Sequence, residues 1–241
     1  MALTLAWVKE DPVISALVNA CNDCLEKLGY TEHGPRHAGY VSRMAGEILE
    51  KLGYPERMTE LARIAGWVHD VGNLLNRRNH GVHGAVLLFP ILREMGMDIG
   101  EVCMVTAAVG HHEEEIGFPV NEIAAAIIIA DKIDAHRARV RKGKYDFNDI
   151  HDRVNYSIRK THLIVDSDKK LIRYEFEMDP SSSVMEFLKI YFTRMEISEK
   201  AALVLGCTFE IVVNGMHINN IPQNLLIDET RREQEDGGIT P

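Results

Sequence analysis

Residues 65–73 read Ala65-Gly66-Trp67-Val68-His69-Asp70-Val71-Gly72-Asn73. An apolar helical run ends there in the adjacent pair His69 and Asp70. Neighbouring helical residues point roughly 100° apart, so both side chains reach one ion only from the edge of a pocket. Imidazole and carboxylate suit a borderline or hard divalent cation, and a carboxylate can bridge two. The alternative is a helix C-terminus with a capping histidine, and the choice depends on further ligands elsewhere.

Further candidate ligands stand on both sides of this pair. They are His37 upstream and His80, His83, His111, His112 and Asp131 downstream. The order His … His-Asp … His … His-His … Asp resembles the HD superfamily of metal-dependent phosphohydrolases, over roughly the first 145 residues. The resemblance implies a mainly α fold, an HD-domain helical bundle, and a metal-dependent hydrolase. A structural ion pair with Lys132 is the alternative role for Asp131.

Composition limits the choice of partners. The chain has 241 residues and a formal net charge of −9, which argues against an extended nucleic-acid surface. We find no signal peptide and no apolar run of the ~18 residues that a membrane span needs, so a cytoplasmic protein is predicted. The four cysteines include Cys21-Asn22-Asp23-Cys24, whose spacing suits metal or redox chemistry. No second pair completes a zinc site, and we interpret this pair as core-facing or incidental.

Apolar spacing and helix-breaking residues predict a helical first part of the chain. The predicted helices are Val13–Leu28, Pro35 to Gly53, Pro55–Asp70, His80 to Gly96, Asp98–His112, Glu122 to about Arg141, and His151–Lys160. The sixth contains Ala124–Ala130, apolar nearly all round and therefore expected at the centre of the bundle.

The pattern changes after residue 160. Residues 163–165 and 171–177 predict two strands, a helix follows Ser181, and residues 207–213 predict a third strand. We therefore predict three segments: a helical HD phosphohydrolase domain at 1–160, a small α+β (ββαβ) accessory domain at 161–227, and a flexible tail at 228–241. The accessory domain is expected to pack on the helices or to form the sheet of a homodimer.

The ligands are predicted to divide between one or two divalent ions. The first ion is expected on His37, His69, Asp70 and Asp131. If Asp70 bridges, a second ion is expected on His80, His111 and His112. Mn, Fe, Co, Ni and Mg all remain open as the metal. His80-Gly81-Val82-His83-Gly84-Ala85 is similar to the family's His-Pro-x-x-Gly-Ala pattern, which favours His80 as the ligand and leaves His83 as a fallback or a substrate-facing residue.

Basic residues follow Asp131 and suggest how a substrate is held. On a continuous helix, Arg137 and Arg141 lie within a few turns of the metals, where guanidinium groups can clamp phosphate oxygens. A solvated basic face is the alternative. Lys132 is expected to neutralise charge on the phosphate, and Asp70 and Lys132 are the predicted catalytic residues.

The predicted function is metal-dependent hydrolysis of a phosphoester or phosphoanhydride bond in a nucleotide-like, phosphorylated small molecule, through a metal-activated water. Asn73 stands where the superfamily's cyclic-dinucleotide phosphodiesterases carry a lysine, so the substrate is not narrowed further. Two rivals remain open: a di-iron oxygenase on the HD fold, and a non-catalytic metal-binding sensor or scaffold.

Overall fold

Proline and side-chain caps begin the helices that surround residues 65–73. In the computed structural model, which describes residues 2–141, 143 and 145–219, Asp11 caps the helix that starts at Pro12, and Asp98 caps the one that starts at Ile99. Pro35 likewise occupies the first turn of its helix. The predicted tail at 228–241 lies outside the described residues.

The predicted elements appear in the predicted order with shifted ends, and a short helix that was not predicted precedes them. The helices are α1 (Leu5–Glu10), α2 (Pro12–Lys27), α3 (Pro35–Lys51), α4 (Glu56–Val68), α5 (His80–Glu94), α6 (Ile99–Gly110), α7 (Glu122–Lys132), α8 (Ile150–Ser157) and α9 (Val184–Val204). Short 3-10 turns cover Val71–Leu74 and Arg137–Arg139. The strands are β1 (Ile158–Asp166), β2 (Leu171–Met178), β3 (Thr208–Val213) and β4 (Met216–His217). The predicted fold class, mainly α with a small C-terminal α+β unit, is confirmed.

Helix α7 lies at the centre of the core, as its uniformly apolar sequence predicts. Every side chain from Ile123 to Ala130 is fully buried. Helices α3, α4, α6 and α9 pack around it. A Cβ at Gly66 of α4 would lie 2.8 Å from the backbone of Ser42 in α3, so the two helices cross with direct backbone contact. This crossing brings His69, at the end of α4, close to His37 on α3.

The four strands form one sheet in the order β1-β2-β3-β4. Strands β1 and β2 pair antiparallel, β2 and β3 pair parallel, and β3 and β4 pair antiparallel. Helix α9 supplies the crossover between β2 and β3. The predicted ββαβ order is therefore present, with an earlier start to β1 and an additional short β4.

The C-terminal unit shares the core of the helices. Phe176, Phe187 and Tyr191 belong to the same buried apolar cluster as α7. The hydroxyl of buried Tyr174 lies 2.8 Å from the Ile129 carbonyl oxygen on α7. The predicted boundary at residue 160 falls inside β1. None of the described helices has the length and apolarity needed to cross a membrane.

The prediction of a helix from Glu122 to about Arg141 is wrong beyond Lys132. Two carbonyl groups that would continue the helix are taken by tertiary hydrogen bonds: Arg139 donates to the Asp134 carbonyl at 2.9 Å, and the Thr161 hydroxyl donates to the Ala135 carbonyl at 2.5 Å. The chain turns sharply there. As a result Arg137 and Arg141 do not continue the helical face of Asp131.

Candidate metal centre

Helices α3, α4 and α7 bring the first group of ligands together. His37 Nε2 lies 3.3 Å from His69 Nε2 and 3.3 Å from Asp131 Oδ1. Asp131 is the penultimate residue of α7 and His69 directly follows α4. Both imidazoles are fully buried. Three donors from three helices thus face one point, which is the arrangement a cation needs.

The start of α5 and the residues just after α6 supply a second group of potential ligands. His80 Nε2 lies 3.0 Å from His112 Nε2. The close approach depends on two glycines, because a Cβ at Gly81 would lie 2.8 Å from the Val109 carbonyl and one at Gly72 would overlap the His80 carbonyl.

Asp70 stands between the two groups and offers one oxygen to each. Its Oδ2 lies 3.5 Å from His37 Nε2 and 3.4 Å from His69 Nε2. Its Oδ1 lies 3.4 Å from His80 Nε2 and 3.8 Å from His112 Nε2. The Asn73 amide donates to Oδ1 at 2.9 Å, and the Cys21 thiol donates to the Asp70 carbonyl at 3.1 Å. The two oxygens of the Asp70 carboxylate therefore face different pairs of imidazoles.

Each of these imidazoles is oriented through its other ring nitrogen. Nδ1 of His69 faces the Gly66 carbonyl at 2.9 Å, and Nδ1 of His112 faces the Val109 carbonyl at 2.7 Å. Nδ1 of His80 lies near a carbonyl and the Glu113 carboxylate, and Nδ1 of His37 lies 2.6 Å from Asp134 Oδ2. With Nδ1–H donating, every Nε2 directs a lone pair into the centre.

The charges of the cluster fit a bound cation. Burial lowers the pKa of His69 to about 4, so its ring is neutral and free to ligate. Burial opposes ionisation of Asp70 and Asp131, yet neighbouring histidines hold the pKa of the Asp70 carboxyl well below its usual range, and Lys132 with His37 and His69 does the same for Asp131. Asp70 and Glu113 raise the pKa of His80 to about 9 against the effect of burial, and a bound cation would take the place of that proton.

Two observations show that the donor set fits divalent metal. Asp70 Oδ2 is buried with no hydrogen-bond partner among the described residues. With both rings neutral and Nδ1–H donating, the paired Nε2 atoms face each other as acceptors, which is unfavourable unless a proton or a metal cation lies between them. Mixed nitrogen and oxygen donors suit Mn, Fe, Co, Ni or Mg without choosing among them. The residues grouped closely enough to ligate are His37, His69, Asp70, His80, His112 and Asp131.

Two predicted histidines lie apart from this cluster. His111 is half-buried and lines a surface groove with Phe89 and Ile116, and within the described residues it joins no group of potential ligands. His83 is half-buried on α5, and the ligand position at that end of the helix belongs to His80.

A buried ion-pair chain runs outward from Asp131. Lys132 Nζ lies 2.5 Å from Asp131 Oδ2 and 3.2 Å from Glu114 Oε1. The same Glu114 oxygen lies 3.2 Å from Nε of Arg194 on α9. Burial opposes the charge, but Lys132 and Arg194 lower the pKa of Glu114 to about 2. The ionised carboxylate therefore connects the C-terminal unit to the metal centre.

A cavity of about 350 Å³ adjoins the cluster. Its lining shares four residues with the narrow space beside Asp70 and Asp131: His33, Arg77, Arg139 and Arg194. Sequence reasoning did not identify these residues as part of the site. His33 precedes the Gly34-Pro35 break, and Arg77 stands in a short polar connection. No local pattern marks either residue, because their position depends on how distant segments pack.

Arg137 and Arg141 make other contacts. The Arg137 guanidinium lies 3.0 Å from Asp179 Oδ2 and 4.8 Å from the centre of the Tyr156 ring. Arg141 donates to the Tyr30 carbonyl at 2.9 Å and to Asn22 Oδ1 at 3.0 Å. Neither lines the cavity beside the cluster. Their predicted clamp role stays a prediction, and the contacts favour a structural role.

Comparison with known proteins supports the family resemblance that the ligand pattern indicates. Residues 36–138 match the family model described as HD domain, which confirms the resemblance to the HD superfamily. Ribonuclease Y of Aster yellows witches'-broom phytoplasma is 29% identical over 121 residues, covering 48% of this chain and 20% of that protein. Ribonuclease Y of Deinococcus radiodurans is 28% identical over 117 residues, covering 48% of this chain and 19% of that protein.

A third relative covers more of the chain. An uncharacterized protein of Methanocaldococcus jannaschii is 26% identical over 190 residues, which are 68% of this chain and 71% of that protein. By contrast, the chain spans about a fifth of the length of the ribonuclease Y relatives. Residues 36–138, which match the HD-domain model, include all six residues of the His/Asp cluster.

Proposed function

From the HD-domain match over residues 36–138, we propose that this protein is a metal-dependent phosphohydrolase that binds two divalent ions bridged by Asp70. The observation that carries the proposal is the division of the Asp70 carboxylate, with one oxygen facing His37 and His69 and the other facing His80 and His112. When bound, such ions polarise a phosphoryl group and lower the pKa of a coordinated water to near neutrality.

The residues of the chain would hold the ions, orient the imidazoles and neutralise charge on the phosphate. His37, His69 and Asp131 would hold one ion and His80 and His112 the other, with Asp70 shared. Asp134 and Glu113 orient two of these imidazoles through Nδ1. Lys132 remains charged between Asp131 and Glu114, and its ammonium opposes the negative charge that accumulates on a phosphate during hydrolysis.

The proposed substrate is a phosphorylated small molecule of nucleotide-like chemistry, with a phosphoester or phosphoanhydride bond. The cavity of about 350 Å³ beside the cluster supports a ligand of this size. The similarity to ribonuclease Y, whose name denotes cleavage of RNA, supports phosphoester chemistry. A cytoplasmic location and a homodimer, both predicted from the sequence, complete the proposal.

A metal and substrate screen tests it. The protein is loaded in turn with Mn²⁺, Fe²⁺, Co²⁺, Ni²⁺ and Mg²⁺ and offered p-nitrophenyl phosphate, bis(p-nitrophenyl) phosphate and nucleoside mono-, di- and triphosphates. We expect metal-dependent hydrolysis that is lost in Asp70→Ala and kept in Asp168→Ala, a control on the exposed β1–β2 turn. Absence of hydrolysis with every metal would refute the proposal. An iron-dependent visible chromophore with O₂ consumption would instead support the oxygenase, and metal binding with no turnover the sensor.

A further inference from the structure

Helix α9 brings a positive charge to the metal centre from outside the matched segment. Arg194 lies on α9, whereas the HD-domain match ends at residue 138. Its side chain lines both the narrow space beside Asp70 and Asp131 and the larger cavity next to it. The C-terminal unit therefore supplies part of the site.

Arg194 differs in exposure from Arg139, one of the two other arginines of the same lining. Its side chain is 28% exposed, whereas that of Arg139 is 5% exposed. Arg139 donates to the carbonyls of Asp134 and Glu32 and to the ring of His33, so it is committed to the protein. Arg194 is held at two places: Nε pairs with Glu114, and the guanidinium lies 4.8 Å from the centre of the Tyr191 ring. A guanidinium fixed along one edge and facing a cavity is arranged to bind an anion.

The balance of charge also favours an anion. The narrow space is lined by four cationic side chains: Arg77, Lys132, Arg139 and Arg194. Its carboxylates are Asp70, Glu114 and Asp131, of which two are assigned to metal. The chain as a whole has a net charge of −9, so this excess of cationic side chains beside the metal cluster is a local feature. It is complementary to the negative charge of a phosphate.

The rest of the cavity offers space for the organic part of a phosphorylated ligand. Its outer lining combines the 28–31 loop with Asp149, His151, Asp152 and Asn155, at the start of and along α8. These residues also lie outside the matched segment. The volume of about 350 Å³ accommodates a molecule of roughly mononucleotide size, since small-molecule sites begin at about 300 Å³.

We propose that Arg194 binds the phosphate of a small phosphomonoester, and that α8 and α9 form the wall of the pocket around its organic part. This inference rests on the proposed phosphohydrolase function and extends it to a residue outside the HD segment. The C-terminal unit is then a part of the substrate site as well as of the core.

The test is calorimetric titration of the Mn²⁺-loaded protein with inorganic phosphate, in parallel with the metal content of each variant. Arg194→Gln should weaken phosphate binding by about ten- to hundredfold with unchanged metal content. Arg194→Lys should recover part of the affinity, because it keeps the charge and loses the planar fork. Lys200→Gln, which removes an exposed charge from the same helix, should bind phosphate like the wild type.

A double variant separates phosphate binding from a role as counter-ion to Glu114. If Arg194 only neutralises that carboxylate, Glu114→Gln/Arg194→Gln should regain wild-type affinity for phosphate. We expect the double variant to stay weak. Wild-type affinity in Arg194→Gln or in the double variant would overturn the inference, as would the absence of phosphate binding by the wild type. If Arg194→Gln does not fold, unchanged affinity in Arg194→Lys together with unchanged kcat/KM would overturn it.

The two proposals fail in different ways. Arg194-dependent phosphate binding without hydrolysis of any substrate would contradict the proposed function and leave Arg194 as an anion-binding residue. Metal-dependent hydrolysis with an Arg194→Gln variant that binds phosphate normally would contradict this inference alone.

Discussion

In this centre, the hydrogen-bond partner of Nδ1 decides how each imidazole ring is oriented toward the cluster. A neutral imidazole offers one lone pair, and a carbonyl or carboxylate at Nδ1 decides that Nε2 carries it. His112 has such a partner, the Val109 carbonyl at 2.7 Å, and its ring is fully buried. The Nδ1 atom of His111 has none among the described residues. Two adjacent histidines thus have unequal access to the centre.

This difference predicts unequal effects of substitution. His112→Ala should remove the ion held with His80, whereas His111→Ala should keep the metal content of the wild type. Elemental analysis of both variants after equilibration with Mn²⁺ provides the measurement, and circular dichroism checks that each folds. Loss of metal in His111→Ala alone would reverse our assignment and restore His111 as the ligand.

At the scale of elements, the site depends on how closely helices approach. Helices α3 and α4 touch through Gly66, where an added Cβ would lie 2.8 Å from the backbone of Ser42. Backbone atoms cannot move aside as a flexible side chain can, so the crossing must widen. Gly39 of α3 offers a contrast, because its Cβ would meet only the Trp67 ring at 3.7 Å.

The two glycines therefore predict opposite changes in stability. Gly66→Ala should lower the free energy of unfolding by about 1–3 kcal/mol, the usual cost of overpacking. Gly39→Ala should be neutral or raise it by up to about 1 kcal/mol, because alanine is the better helix former. Urea denaturation followed by circular dichroism measures both. Equal stability of the two variants would show that the α3–α4 contact is looser than described.

A second link between elements is the ion pair that follows β2. Asp179 Oδ2 lies 3.0 Å from the Arg137 guanidinium and 2.5 Å from Nε of Arg159. Hydrogen bonding from Ser181 and the pairing with Arg159 lower the pKa of Asp179 to about 2, from 3.8. A depressed folded-state pKa stabilises the protein above the unfolded value, and that stabilisation is lost as the pH falls through the folded value.

Asp179→Asn should therefore reduce stability at pH 6, and the difference from the wild type should shrink as the pH falls from about 4 towards 2. Denaturant midpoints at pH 6 and pH 3 measure this, with the exposed Asp168→Asn as control. A stability difference that is independent of pH would mean that the ionised carboxylate contributes nothing to the stability of the fold.

Weaker binding of inorganic phosphate in Arg137→Gln would support the phosphate clamp predicted from sequence instead of a structural role for Arg137.

At the scale of the whole molecule, one apolar core joins the helices to the sheet. The Tyr174 hydroxyl lies 2.8 Å from the Ile129 carbonyl oxygen on α7 and 3.0 Å from the Ser198 hydroxyl on α9. Ser198 in turn donates to the carbonyl of Arg194 at 2.7 Å. The segment that carries Arg194 is thus fixed to the helix that carries Asp131.

Tyr174→Phe should lower the free energy of unfolding by about 1–2 kcal/mol, because buried polar groups lose a partner. Metal content should stay at the wild-type level, since the substitution leaves every proposed ligand in place. The exposed Tyr145 provides the control, and Tyr145→Phe should leave stability unchanged. An undiminished free energy of unfolding in Tyr174→Phe would show that this link is energetically neutral.

The sequence was informative where a local pattern carries the meaning. Helical spacing predicts the bundle, and the buried segment before Asp131 predicts α7. The spacing also leads to Asp70 as the bridging candidate. It does not predict the turn after Lys132. There the carbonyls of Asp134 and Ala135 accept hydrogen bonds from the side chains of Arg139 and Thr161 instead of continuing the helix. Nor does it predict Arg194 in the site, since α9 reaches the cluster only after the sheet and the bundle have packed.

The central claim is that Asp70 bridges two divalent ions, and metal stoichiometry tests it most directly. Wild type and Asp70→Ala are equilibrated with Mn²⁺, dialysed and analysed for manganese per chain, with circular dichroism confirming that both fold. We expect two ions in the wild type and the loss of both from folded Asp70→Ala, because each group of histidines then lacks its shared carboxylate. Full occupancy in Asp70→Ala, or a wild type that saturates at one ion with every metal, would contradict it.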